Sequence, residues 1–272
     1  MKPATTLSEL QEDIRKEYGN LSKRLQQVGQ YLLDNPENVA FDTVAVIASN
    51  ADVPPSTLIR FANALGFNGF NDMKQLYRQN MVEETSNYSE RVKLFKAMSP
   101  DDSQASTPIS QLHNFANANA HALEQLANKI EESDLNNAIT LLKNAECLYV
   151  IGLRRSFSIA SYMVYALRHL GKRVVLIDGL GGMYDEQLSM VTGKDAVVSI
   201  SFSPYAEETH NWVKAAREKG AKQVTLTDSQ VSPIAELSDV NFMVNEANVG
   251  GFRGQSASLC LAQTLAVSLA SE

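Results

Sequence analysis

FDTVAVIASNADVPPSTLIRFANALGFNGF, residues 41–70, reads as helix, tight turn, helix and glycine stop. Asp42 or Thr43 offers a side-chain oxygen to cap the first helix, and the apolar run Val44-Ala45-Val46-Ile47-Ala48 follows. After Asp52-Val53 a second helix is expected from Pro54 to Leu65, where Gly66 stops it. Ala48 is small enough to let two helices pack closely, and Asp52 is among the residues that visit the left-handed backbone a tight turn needs, although glycine does so more easily. Ser56, Thr57 and Arg60 place polar donors at the start of the second helix. Lowered into a DNA major groove by its N-terminal end, such a helix would set Ser56 and Thr57 against phosphate or base edges and Arg60 against a guanine. The same spacing suits any small three-helix cluster, so by pattern alone plain packing stays open beside DNA reading.

Working outward, Leu7, Leu10, Ile14 and Tyr18 recur at steps of three and four, and Leu21, Leu25, Val28 and Leu32 repeat the pattern until Asn35-Pro36 stops it. Those are two amphipathic helices. A further helix is expected from Asn71 to about Met81, with Met73, Leu76 and Tyr77 facing inward. Residues 83–110 turn rich in Ser, Thr, Asp and Pro, with a brief apolar cluster at Val92, Leu94 and Phe95, and read as a linker. Two helical stretches follow to Lys143, and then the periodicity changes. Cys147–Ile151, Val174–Ile177, Ala196–Ile200, Val224–Thr227 and Val240–Val244 are short β-branched runs separated by helical segments such as Ser156–His169 and Ala206–Lys219. The expectation is an all-α domain over 1–82, a linker over 83–110, and over 111–272 an α/β three-layer domain with a five-stranded parallel sheet.

With 44% apolar and 20% charged residues the chain has ordinary globular composition. A net charge of −7 and an isoelectric point near 5.2 work against a nucleic-acid partner. The acidity is unevenly spread, because the first 80 residues carry eight Lys/Arg against nine Asp/Glu. Any DNA affinity must therefore rest on dimerisation and a few well-placed donors. No apolar run suggests a membrane span or a secretory leader, so a cytoplasmic location is expected. Cys147 and Cys260 have no partner at metal-ligand spacing and are expected to be buried small hydrophobes.

In an open parallel sheet, ligands sit beyond the carboxyl ends of the strands. Here those ends carry Gly152-Leu153-Arg154-Arg155-Ser156, Asp178-Gly179-Leu180-Gly181-Gly182 and Ser201-Phe202-Ser203-Pro204-Tyr205. A phosphate there could bond to serine hydroxyls and to free N–H groups at helix starts, with no need of metal or cofactor. The glycines at 179, 181 and 182 also suit a simple turn, and Glu246 with the loop from Gly250 to Gly254 could border the same site.

The stretch NLSKRLQQVGQYLLDNPENVAFDTVAVIASNADVPPSTLIRFANALGFNGFNDMKQL resembles the N-terminal domain of the RpiR (ribose-phosphate isomerase repressor) family of bacterial regulators. It does so at Asn35-Pro36, Ala40-Phe41, Pro55-Ser56-Thr57, Arg60-Phe61 and the exit from Leu65 to Phe70. Pro54 stands where that family usually has a capping serine, a loss of about 1 kcal/mol. The second half resembles the sugar isomerase (SIS) domain that follows in the same family. The resemblance implies effector contacts from Ser156, Ser201, Ser203 and Thr209; Gly152, Arg154 and Arg155 of the first loop join the candidates on their own chemistry, the two arginines as charge in place of a missing hydroxyl, with a solvated or dimer-facing role equally open to them. It departs at Arg154 (a glycine in the family), at Pro204 (also a glycine) and at Ala206 (a threonine). It further implies a transcriptional regulator of carbohydrate metabolism, in such regulators more often a repressor although an activator would look the same, that binds double-stranded operator DNA and a phosphosugar or related anionic sugar metabolite; coupling the ligand to the spacing of two recognition helices calls for a homodimer or homotetramer.

The competing reading is a sugar-phosphate isomerase or lyase with a helical appendage. Aldose–ketose isomerisation needs a general base with a partner. His113, His121, His169 and His210 all read as surface or capping residues, which leaves Glu246 alone as a base. No complete dinucleotide loop, GxxxxGK[ST] or GxSxG occurs. No catalytic residue is therefore assigned.

Overall fold

The computed structural model describes residues 3–4, 6–84, 89, 92–93 and 107–270. The chain forms two compact units, Met1–Gln111 with Asn248–Arg253, and Leu112–Ala247 with Gly254–Glu272. Most of the expected linker, including Leu94 and Phe95, lies outside the described residues.

The first unit is helical: α1 (Leu7–Glu17), α2 (Lys23–Asp34), α3 (Pro36–Phe41), α4 (Val44–Asn50), α5 (Pro55–Ala64) and α6 (Phe70–Glu84). Thr6 Oγ1 caps α1 by accepting from the Glu9 amide at 3.2 Å. The short helix α3 was not foreseen. Asn35-Pro36 does end α2, but proline's missing N–H and fixed φ also suit a first helical position, and a new helix begins there. One buried cluster joins Leu10, Ile14, Val28, Leu32, Ile47, Leu58, Phe61, Met73 and Tyr77. Gly29 lets α2 approach its neighbours closely, since a Cβ there would lie 3.3 Å from Ile14 Cγ2 and 3.4 Å from Phe61 Cε2.

The second unit holds α7 (Pro108–Lys129), α8 (Glu132–Asn144), β1 (Leu148–Ile151), α9 (Phe157–His169), β2 (Val174–Ile177), α10 (Tyr184–Ser189), β3 (Ala196–Ile200), α11 (Glu207–Glu218), β4 (Lys222–Thr227), β5 (Val240–Met243) and α12 (Ser256–Ser268). The five strands pair in the order β2-β1-β3-β4-β5, all parallel, with Leu148 level with Val174 on one side and Ala196 on the other. Side chains of a strand alternate between faces, so β1 serves two cores. Leu148 and Val150 pack with residues of α7, α8, α9 and α12, whereas Tyr149 and Ile151 pack with α11 and with Tyr184 and Leu188 of α10. That is the expected three-layer arrangement.

Between β5 and α12 the chain forms a two-stranded antiparallel pair, β6 (Asn248–Val249) and β7 (Phe252–Arg253), which the periodicity did not announce. Cys147 is buried as expected, but Cys260 is exposed. It sits on the outward side of α12, a helix apolar around most of its circumference, where the apolar run gave no inner face to read. Among the described residues no helix is long and apolar enough to cross a membrane, and no cluster of His, Cys, Asp and Glu is arranged to hold a metal ion.

Candidate functional site

The first candidate surface is α5. Of the two capping oxygens offered at the entry to α4, Thr43 takes the role, accepting from the Val46 amide at 3.3 Å. The turn after α4 passes through Asp52 at φ 52°, the left-handed position expected of it, and the Val53 amide closes back onto Ala48 O at 2.9 Å. Ala48 is buried, as close packing requires. Pro54 provides no side-chain cap for α5, yet its carbonyl accepts from the Thr57 amide at 2.8 Å, and Pro55 occupies the first helical position.

Leu58, Phe61 and Ala62 anchor α5 in the core and turn its other side outward. Ser56, Ile59, Arg60 and Asn63 are exposed at spacings of three and four, a single solvent-facing stripe. Thr57 is only 8% exposed and packs inward, so of the three expected donors Ser56 and Arg60 alone are presented. Ile59 and Asn63 join the face and were not singled out beforehand. A further residue was missed altogether: Arg24 of α2 donates through Nη1 to Asp52 O at 2.9 Å and braces the turn. Its partner is 28 positions away, beyond any local pattern.

The second candidate site is the carboxyl edge of the sheet at β1 and β3, where the strand order reverses direction, the place at which open parallel sheets receive ligands. Gly152 makes the exit from β1 possible, because a Cβ there would lie 2.8 Å from Ser156 O. Arg154 holds φ 54°, a left-handed conformation at the position where a glycine was noted as usual. Its guanidinium lies 3.9 Å from the Glu208 carboxylate, an exposed contact of small energetic weight. Arg155 reaches across with Nη2 toward Ser203 O at 3.4 Å, while its own carbonyl accepts from Gln255 Nε2 at 2.9 Å. The loops after β1 and β3 and the start of α12 are thus joined by named bonds.

Ser156 and Ser201 are buried and Ser203 is partly exposed. Thr209 is buried on α11 with its hydroxyl unpartnered. Thr227 at the end of β4 and Ser258 in the first turn of α12 also bury hydroxyls without a partner. Buried polar atoms are nearly always satisfied, so these three hydroxyls, each near a strand's carboxyl end or a helix start, are groups with hydrogen-bonding capacity to spare. Other orphans lie elsewhere, such as Gln223 Oε1 at the opposite end of β4.

Asp228 was overlooked. It follows β4 at the same edge, and its carboxylate accepts from the Ser203 amide at 3.0 Å and the Tyr205 hydroxyl at 2.9 Å. The glycine loop after β2 is a turn built around Asp178, which accepts from Leu180 N and Gln187 Nε2, both at 3.0 Å. Those bonds hold the Asp178 carboxyl below its ordinary range. Glu246 caps α12, accepting from the amides of Ala257 at 3.2 Å and Ser258 at 2.7 Å. Both of its oxygens are engaged with backbone.

Residues 8–83 match the model of the helix-turn-helix domain of the rpiR family, and residues 141–271 match the SIS domain. An uncharacterized HTH-type transcriptional regulator of Haemophilus influenzae is 27% identical over 252 residues, 93% of this chain and 85% of that protein. The HTH-type transcriptional regulator HexR of Escherichia coli is 25% identical over 224 residues, 82% of this chain and 73% of HexR. Among solved structures, the Vibrio vulnificus NanR protein complexed with ManNAc-6P aligns with a TM-score of 0.56 at 22% identity, covering 96% of this chain and 90% of that one, a likeness of fold.

Proposed function

The chain belongs to the rpiR family of helix-turn-helix transcriptional regulators that carry a SIS domain, and from that premise we propose that it is a non-enzymatic repressor of carbohydrate-metabolism genes, released from its operator by a phosphosugar or related anionic sugar metabolite. Operator contact is assigned to Ser56 and Arg60, with Ile59 available for a thymine methyl and Asn63 for an adenine edge. A homodimer or homotetramer in the cytoplasm would present two copies of α5 to half-sites about 34 Å apart, which offsets the lack of a basic face.

The effector is assigned to the carboxyl edge at β1 and β3, with Gly152, Arg154, Arg155, Ser156, Ser201, Ser203 and Thr209 as its surroundings. The observation that carries this is that Thr209 in the first turn of α11, Thr227 at the end of β4 and Ser258 in the first turn of α12 all bury hydroxyls without a partner. The ManNAc-6P complex of the similarly folded NanR supports the ligand class. A reading as isomerase or lyase is disfavoured because Glu246, its single candidate base, spends both oxygens capping α12.

A thermal-shift panel of sugar phosphates, sugar acids and their neutral counterparts tests the proposal, combined with a gel shift on the DNA upstream of the chain's own gene. A ligand at 100 times its Kd adds about 2.7 kcal/mol of stability. The expected result is a stabilising anionic sugar that also releases DNA. Turnover of the hit, or stabilisation with no effect on DNA, would overturn the assignment.

A further inference from the structure

The loop after β3 is where an anion would find donors, and in this chain those donors already hold one. The Ser203 amide and the Tyr205 hydroxyl each bond a different oxygen of the same Asp228 carboxylate, at 3.0 and 2.9 Å. Both residues lie directly beyond β3, and Asp228 directly beyond its neighbour β4, so the parallel register brings the acid level with the loop. Arg155 from the β1 loop reaches the carbonyl of the same Ser203. Thr227, the residue before Asp228, buries a hydroxyl that bonds nothing. One carboxylate thus occupies an amide and a hydroxyl that a phosphate or carboxylate ligand entering this loop would use.

We propose that Asp228 is a resident competitor for the acidic group of the effector. An anionic ligand enters this loop by exchange, taking the Ser203 amide and the Tyr205 hydroxyl from the Asp228 carboxylate. A ligand without an acidic group has no means to displace it. Asp228 accordingly sets the threshold of anion affinity and makes the site selective for ligands whose anionic group bonds these donors better than a tethered carboxylate does. The proposal rests on the effector site assigned above and adds the residue that governs which anions enter it.

The charge can be removed with little change of shape. Asp228→Asn keeps an amide oxygen for the Ser203 N–H and abolishes the like-charge repulsion between a carboxylate and an incoming phosphate. Isothermal titration of the full chain with inorganic phosphate is expected to show about tenfold or more tighter binding in Asp228→Asn than in the wild type. Adding Tyr205→Phe to that variant should reverse most of the gain, which places the phosphate at this loop rather than elsewhere. Opposite signs from two neighbouring substitutions cannot arise from general loosening, and a thermal melt of each variant verifies that it is folded. Unchanged or weaker phosphate binding in Asp228→Asn overturns the proposal, as does the absence of phosphate binding in both proteins. Neither result touches the effector assignment itself, which stands or falls on the wild-type response to the sugar panel.

Discussion

Arg154 and Arg60 illustrate two ways in which a single side chain expresses its position. Arg154 occupies left-handed backbone, which costs a non-glycine residue about 1–2 kcal/mol, and its exposed contact with Glu208 returns little of that. Arg154→Gly relieves the strain while loosening the unfolded chain, so a net gain of about 0.5–1 kcal/mol is expected in urea denaturation. A loss of stability would mean that the guanidinium makes contacts of greater weight than its exposure implies. Arg60 has no such internal role: it stands on the exposed side of α5. Arg60→Ala should therefore abolish operator binding in a gel shift and leave the urea midpoint unchanged, whereas unaltered affinity would remove it from the recognition face. Both arginines were legible in the sequence, one as a departure from glycine and the other as a donor one turn into a helix. Arg24 and Asp228 were not, because each acts on a partner at least 25 residues distant that only the folded chain brings near.

At the scale of elements, α6 shows how periodicity becomes stability. Met73, Leu76 and Tyr77 were expected to face inward and all three are buried. Tyr77 is 1% exposed, donates its hydroxyl to Leu32 O of α2 at 3.4 Å, and is held well above its usual pKa by burial. A raised folded pKa contributes stability that is fully present below the unfolded value of about 10 and is lost as pH rises through the folded one. Alkaline titration followed by circular dichroism should show helix loss above about pH 10, and Tyr77→Phe should move that loss to higher pH at a neutral-pH cost of about 1 kcal/mol for the hydrogen bond. An unmoved transition would mean that another group governs it. The same helix closes the unit from outside, with Lys74 Nζ bonded to Asp42 O and Arg78 Nε donating to Ala40 O at 3.2 Å. Those two bonds satisfy carbonyls at the end of α3, the helix that sequence periodicity missed because six residues are too few to show a period.

For the whole molecule, the change from a period of 3.6 to short β-branched runs separates two kinds of domain in the sequence itself. Strand count and parallel direction followed from the alternation of runs and helices. The order β2-β1-β3-β4-β5 did not, since which strands become neighbours depends on which faces the intervening helices cover. That order has a consequence for variation. The loops beyond β1 and β3 lie outside the paired register, while the strands themselves carry the core on both faces. Changes at Arg154, Pro204 or Asp228 are accordingly expected to alter ligand preference while leaving every strand pairing intact. Ligand preference in this domain is therefore free to vary where architecture is not, because the residues that would decide the one lie outside the pairings that hold the other.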